Sequence, residues 1–277
     1  MSNEALCQTL LAATYAIEVY EDQAEFKSLQ NYSAGSAVCI NENGDLITAA
    51  HVILGTSNKM HSAKLTGQEI IIARTQNTQW ENYAVSLCGI SIEMQNVFRT
   101  PLYLDLAYLK PLSCASKRQY IPVMRNPSPL GSSVLMAGFP TEADSPFGFH
   151  RHLDLSNPVY SRPDHQTPRK LKDMKCRLLI KSGMIGVSDE ASFNHDNSSE
   201  KFLATCYYID NGMHDGASGG PVINNHGELV ATITMRALTT VSHLELKEPN
   251  IAIPSGSTIA ISSYSILNYL ENRTKIS

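Results

Sequence analysis

The sequence predicts an all-β protein, a sandwich or barrel, with one short helix at each end. Short apolar or alternating runs recur along the chain, the turns between them are rich in Gly, Asn and Pro, and no alternation of strands with helices is visible. Residues 3–13 (NEALCQTLLAA) read as a short amphipathic helix and Tyr15–Tyr20 as the first strand. The next strands are expected at Gly35–Ile40, Leu46–Ala50, Glu69–Ala73, Leu102–Leu109 and Ser133–Ala137, with NENGD (41–45) as one of the turns. Residues 143–176 break the pattern with Pro, His and charge at little periodicity, and read as a long surface insertion. Strands resume at Leu178–Ile180, Ala204–Ile209, Pro221–Ile223, Leu229–Met235 and Asn250–Ile253, with NNHGE (224–228) as a turn. Ser262–Arg273, apolar at Ile266, Leu267 and Leu270, suits a C-terminal helix packed on the sheet.

Composition narrows the function. The chain has 277 residues, enough for one large domain or two small barrels sharing an interface. It is 43% hydrophobic and carries a net charge of −4 with no long Lys/Arg run, which argues against nucleic acid as a partner. No uninterrupted apolar run reaches the roughly 18 residues a membrane helix needs, so no membrane partner is expected. No basic residue precedes Lys27 and Glu4 stands ahead of the first apolar stretch, unlike a secretory signal, so a cytoplasmic location is expected. Cys7, Cys39, Cys88, Cys114, Cys176 and Cys206 form no C-x-x-C pair and are expected as reduced, buried thiols. His150, His152 and Asp154 are close in sequence, but spacing alone builds no coordination shell; neither a metal nor a cofactor is expected.

The stretch HDGASGGPV (214–222) carries the chemical signal. Gly216-Ala217-Ser218-Gly219-Gly220 fits the G-x-S-x-G elbow of esterases, where the order is Ser, then Asp or Glu, then His. No Asp follows Ser218; Glu228 and His243 could supply that order, but the chain after Ser218 reads as strand and turn and is too short for the remaining βα units of that fold. The opposite order is supplied. His51 ends an early strand in GDLITAAHVI, where Ala49 and Ala50 let a tight turn carry the imidazole. Asp105 lies in the apolar run TPLYLDLAYLKP, where an ionised carboxylate is costly unless it is paired.

With these residues the chain resembles the chymotrypsin-fold serine proteases, and within them the protease domain of the bacterial HtrA/Deg-type branch. The resemblance runs through GSAVCINENGDLITAAHV, LDLAYLK, PLGSSVLMAGFP, KSGMIGV, YYIDNGMHDGASGGPVINNHGELVATITM and NIAIP. It implies two six-stranded antiparallel β-barrels with a short N-terminal helix and a C-terminal helix. Residues 1–120 would hold the first barrel with His51 and Asp105, and 121–277 the second with Ser218 and the 143–176 insertion. No PDZ domain is expected after them. The resemblance departs at Ala217, where many secreted members carry an Asp that pairs with a new N-terminus made by cleavage; that switch is chemically absent here. Nor do cysteines flank His51 or Ser218.

The resemblance further implies a serine endopeptidase acting on protein or peptide substrates. Ser218 would attack the scissile carbonyl, His51 would move the proton and Asp105 would hold the imidazole. The backbone N–H groups of Gly216 and Ser218 would form the oxyanion hole. Substrate contacts would come from Gly212, Thr232, Thr234, Met235 and Ile251, with Thr232–Met235 as the edge that pairs with an extended substrate. No acid stands at Gly212, although Asp210 and Asp215 lie nearby, so a small or medium apolar residue is expected before the cut. The 143–176 insertion offers a docking surface for a dedicated substrate or an activating protein partner; the alternatives are a general protein quality-control protease and a catalytically silent binding module of the same fold.

Overall fold

Two closed barrels of six antiparallel strands make up a computed structural model that describes residues 1–28, 32–55, 65–92, 102–113, 116–140, 177–194, 201–241, 251–265 and 267. Helix α1 (Asn3–Ala13) packs Leu6, Leu10 and Ala13 inward, one turn apart, and Ser2 caps it by accepting the Ala5 N–H at 3.2 Å. The first barrel is ordered β1-β2-β3-β6-β5-β4, from β1 (Thr14–Tyr20), β2 (Tyr32–Cys39), β3 (Leu46–Thr48), β4 (Ile70–Arg74), β5 (Glu81–Ile92) and β6 (Leu102–Pro111). Pairing of β1 with both β2 (Tyr15↔Ala37) and β4 (Ala16↔Arg74) closes it. Closure leaves no free edge, and β1 is buried along its whole length.

The second barrel is ordered β10-β11-β12-β9-β8-β7, from β7 (Ser133–Gly138), β8 (Leu179–Asn194), β9 (Lys201–Ile209), β10 (Pro221–Ile223), β11 (Leu229–Val241) and β12 (Ile251–Ser262). Its core is Val134, Met136, Ile185, Tyr207, Ile209 and Val222 with their neighbours. The core of the first barrel, around Leu46, Ile47, Leu106 and Leu109, continues through α1 and Ile121 to Ile223 and Leu229 of the second, so the two share one apolar seam. The connecting segment is strapped to both. The Ile121 N–H donates to the Cys39 carbonyl, and Met124 and Pro122 exchange hydrogen bonds with Leu229.

The all-β, two-barrel expectation holds, and several elements differ in extent. The strand expected over Leu46–Ala50 stops at Thr48, and the one-turn helix α3 (Ala50–Leu54) follows instead of a bare turn. Helix α2 (Gln23–Ser28) has no buried residue and forms because Asp22 accepts the Ala24 and Glu25 N–H groups. Its aromatic contact, Phe26 edge-on to Tyr20 at 5.3 Å between ring centroids, makes no apolar periodicity to read. Strands β8, β11 and β12 run longer than their apolar cores, and β5 lies where no strand is expected. Ser262 ends β12; residues 263–265 are helical, and most of the expected C-terminal helix, with the 143–176 insertion, lies outside the described residues. Among the described residues no helix is long and apolar enough to cross a membrane.

Burial leaves a pH signature. Cys39, fully enclosed in the first barrel, is pushed from 9.0 to about 11, and Tyr15 from 10.0 to about 12, both chiefly by burial. Each group is neutral when folded and ionises more readily when unfolded. The Cys39 contribution is therefore complete below pH 9 and lost as pH rises through 11, and that of Tyr15 is complete below pH 10 and lost as pH rises through 12. Thermal melts should give a nearly constant Tm from pH 7 to about 9 and a falling Tm above that. A Tm that stays flat to pH 11 would contradict this assignment.

Candidate active site

Asp105 reaches the site because β6 is irregular there. Leu104 pairs with Ile90 and Ala107 with Cys88, so Asp105 and Leu106 together face the single residue Gly89, which has φ +66°. This is a β-bulge, and it re-aims a side chain that regular alternation would send elsewhere. The carboxylate is 7% exposed and fully engaged by the α3 turn. Its Oδ1 accepts the His51 backbone N–H at 2.8 Å and its Oδ2 meets His51 Nδ1 at 2.7 Å. A carboxylate only accepts, so Nδ1 carries the proton between the two groups. Next to it, Cys88 is pushed up to about 12 by burial and by the charge of Asp105, and stays a neutral thiol.

Ser218 sits on a loop that only glycine can seat. A Cβ on Gly219 (φ +87°) would lie 2.0 Å from the Ser36 carbonyl oxygen and 2.2 Å from Thr48 Oγ1, both on the first barrel. One on Gly220 would lie 2.0 Å from the Ala137 carbonyl oxygen. The approach places the loop against Thr48 and Ala49, immediately before the turn that carries His51. Most amides of the loop are satisfied: Ala217 donates to His214, Gly219 to Ile233 and Gly220 to Ala217. The N–H groups of Gly216 and Ser218 donate to no acceptor among the described residues. Both amides belong to the loop that carries the Ser218 hydroxyl.

The serine hydroxyl itself is turned away from histidine. Ser218 Oγ donates to the Thr234 carbonyl at 3.0 Å, and among the described residues it has no hydrogen bond to His51. Thr234 is the extra residue of a second bulge, between the pairs Ile233↔Ala260 and Met235↔Ile259. The structure thus joins His51 to Asp105 and holds the Ser218 hydroxyl on the Thr234 carbonyl.

The residues expected to bind substrate separate into two groups. Thr234, whose hydroxyl donates to the Ile259 carbonyl at 3.2 Å, and Met235, 53% exposed, lie next to Ser218 on β11. Thr232 is fully buried between Pro221 and Ile261, and Ile251 pairs with Val241 at the distal end of the β11–β12 hairpin. Gly212 abuts Gly256: a Cβ on it would lie 3.1 Å from the Gly256 backbone. Thr258 fixes this floor by accepting the Met213 N–H and donating to the Asn211 carbonyl, and Lys181 Nζ donates to the Gly212 carbonyl at 2.6 Å. Gly256, Thr258 and Lys181 are absent from the sequence reading; only the isolated glycine of PSGS signals a close backbone approach. The two nearby acids are engaged. Asp210 Oδ1 accepts the Met184 N–H, and Asp215 pairs with Arg236 at 2.6 Å. Among the described residues no cluster of His, Cys, Asp and Glu could hold a metal; His150, His152 and Asp154 lie outside them.

The family pattern of the trypsin-like peptidase domain matches residues 35–231, more than half of the chain. The chain belongs to the trypsin-like peptidase domain family. That membership makes it a serine endopeptidase. As in the fold expected of this family, His51 and Asp105 come from one barrel and Ser218 from the other. Among solved structures, the active form of the Rv3671c protease from M. tuberculosis is similar at TM-score 0.57 and 12% identity, over 97% of this chain and 84% of that one. The inactive form of the same protease is similar at TM-score 0.55 and 12% identity, over 98% and 93%. At this identity the likeness shows a shared fold. No curated protein matches the chain.

Gly219→Ala tests the seating of the loop in this trypsin-like peptidase. Its Cβ would meet backbone atoms that cannot rotate away, so a loss of about 3 kcal/mol is expected in denaturant unfolding. Stability within 0.5 kcal/mol of wild type would show that the loop has room to shift (roughly the scatter of surface substitutions).

Proposed function

We propose that this endopeptidase cleaves protein or peptide chains through an acyl-enzyme on Ser218. The observation that carries the reading is the pair of unpaired amides at Gly216 and Ser218, on a loop seated against the His51–Asp105 pair. Ser218 Oγ leaves the Thr234 carbonyl and attacks the scissile carbon while His51 Nε2 takes its proton. The carbonyl oxygen, now anionic, accepts from both amides. His51 then protonates the leaving amine, and water repeats the sequence on the ester to release the acid.

Beyond Thr232, β11 outgrows its β10 partner, which ends its pairing at Pro221. An extended substrate can therefore pair along β11 from Thr234 onward, adding a strand. The Gly212–Gly256 floor, with Asp210 and Asp215 already engaged, favours a small or medium apolar residue before the cut. The reading includes a cytoplasmic location, supported by the free thiols of Cys7, Cys39, Cys88 and Cys206. It also includes limited proteolysis of a dedicated partner, supported by the irregular 143–176 sequence as a docking surface.

Wild type should label with a fluorophosphonate probe and Ser218→Ala should not; absence of labelling in wild type would defeat the mechanism. Asp105→Asn should keep the fold and lose on the order of 10³–10⁴ in kcat, because an amide no longer fixes the Nδ1 proton. Quantitative proteomics of cells carrying wild type or Ser218→Ala should differ in a few cleaved peptides. Hundreds of altered peptides would mark a general quality-control protease instead.

A further inference from the structure

One residue of the first barrel reaches into the loop that carries Ser218. Ser36, on β2, is fully buried and uses every polar atom it has. Its backbone N–H donates to the Ser218 carbonyl at 2.8 Å, and its carbonyl accepts the Thr48 hydroxyl at 2.7 Å. Its own hydroxyl donates to the Gly216 carbonyl at 2.8 Å and accepts the Phe139 N–H at 2.8 Å. The side chain therefore ties three segments together: β2 of the first barrel, the end of β7 in the second, and the nucleophile loop.

The two loop carbonyls that Ser36 holds stand on either side of Ala217. Gly216, at φ +89°, lacks a Cβ to restrict rotation, so its two peptide planes turn more freely than those of other residues. One plane carries the Gly216 N–H that must point at the oxyanion; the other carries the carbonyl that Ser36 grips. Pinning the second plane narrows the directions open to the first. The Ala217 side chain supplies no polar anchor, although the Ala217 N–H donates to the His214 carbonyl at 3.1 Å and helps hold the same plane. It is fully buried against Gly138, whose Cβ would come within 2.7 Å of it.

We propose that Ser36 is the positioning residue of the oxyanion loop. Its hydroxyl, clamped between the Gly216 carbonyl and the Phe139 N–H, aims the Gly216 amide, so the loop is set once the barrels dock and needs no new chain terminus. The proposal rests on the acyl-enzyme mechanism above. Binding of the ground-state substrate does not use the Gly216 amide fully, whereas the tetrahedral state does, so the effect of Ser36 falls on the chemical step.

The test compares wild type with Ser36→Ala, Ser36→Cys and Ser36→Thr. For each, kcat and KM on a fluorogenic peptide, the affinity for a peptide boronic acid and the Tm are measured. In Ser36→Ala, kcat should fall about 10- to 100-fold, part of the 10²–10³ lost with a whole oxyanion donor, with KM within about twofold. Boronate affinity should fall by the same factor as kcat, since the boronate mimics the tetrahedral state. Ser36→Thr, which keeps the hydroxyl, should restore most of the loss. Should Ser36→Ala fail to fold, Ser36→Cys carries the same expectation at smaller size, because a thiol is a weaker partner. Unchanged boronate affinity in a folded Ser36→Ala overturns the proposal. So does a loss spread equally over KM, kcat and Tm that threonine does not restore. If wild type neither hydrolyses nor binds the boronate, the acyl-enzyme mechanism itself has failed, which is distinct from either result.

Discussion

Backbone touches backbone where the loop of Ser218 meets the first barrel, and the site depends on that contact. The Ser36 carbonyl occupies the space a Gly219 side chain would need, and the Ala137 carbonyl does the same for Gly220. Gly219, with no side chain, lets a loop of one barrel lie against the histidine-bearing turn of the other, and Gly220 lets the same loop lie against β7 of its own barrel. The contact also orders the amides: Gly219 and Gly220 are tied to Ile233 and Ala217, while those of Gly216 and Ser218 have no acceptor among the described residues. An apolar seam from Leu46 through Ile121 to Leu229 holds the barrels in this register.

Regular strands bring the groups near each other, and irregular ones aim them. Two of the register shifts near the site lie at Asp105 on β6 and at Thr234 on β11, whose carbonyl holds the Ser218 hydroxyl. A bulge costs a ladder hydrogen bond and gives a direction that strict alternation cannot. Asp105 recovers that cost through its two contacts with His51, which also remove the penalty of a nearly buried carboxylate. Local defect and chemistry thus stabilise one another.

Much of this was legible in the sequence, for identifiable reasons. The short apolar runs and Gly/Asn turns betray closed sheets, and helix α1 shows its inward residues at helical spacing. His51, Asp105 and Ser218 stand in strings whose neighbours are constrained by the same chemistry, so they are recognisable without coordinates. Pairing register is not written locally, and everything that depended on it was missed. The bulges, the partnership of Gly212 with Gly256, and the separation of Ile251 from the Thr234 region all follow from which residue faces which across a ladder. The extra length of β8, β11 and β12 escaped for a related reason. Residues beyond the barrel wall need not alternate, since little is buried there to enforce a pattern.

The order of the chain has a consequence for biosynthesis. His51 and Asp105 leave the ribosome with the first barrel, yet the loop that must lie on them comes more than 100 residues later. Ser218 in turn gains its seat only when β11 and its partner β12 have followed. A nascent chain, or one truncated before Ile251, therefore carries the proton-handling pair without a positioned nucleophile. On the proposed mechanism, cutting begins only after β12 has been made.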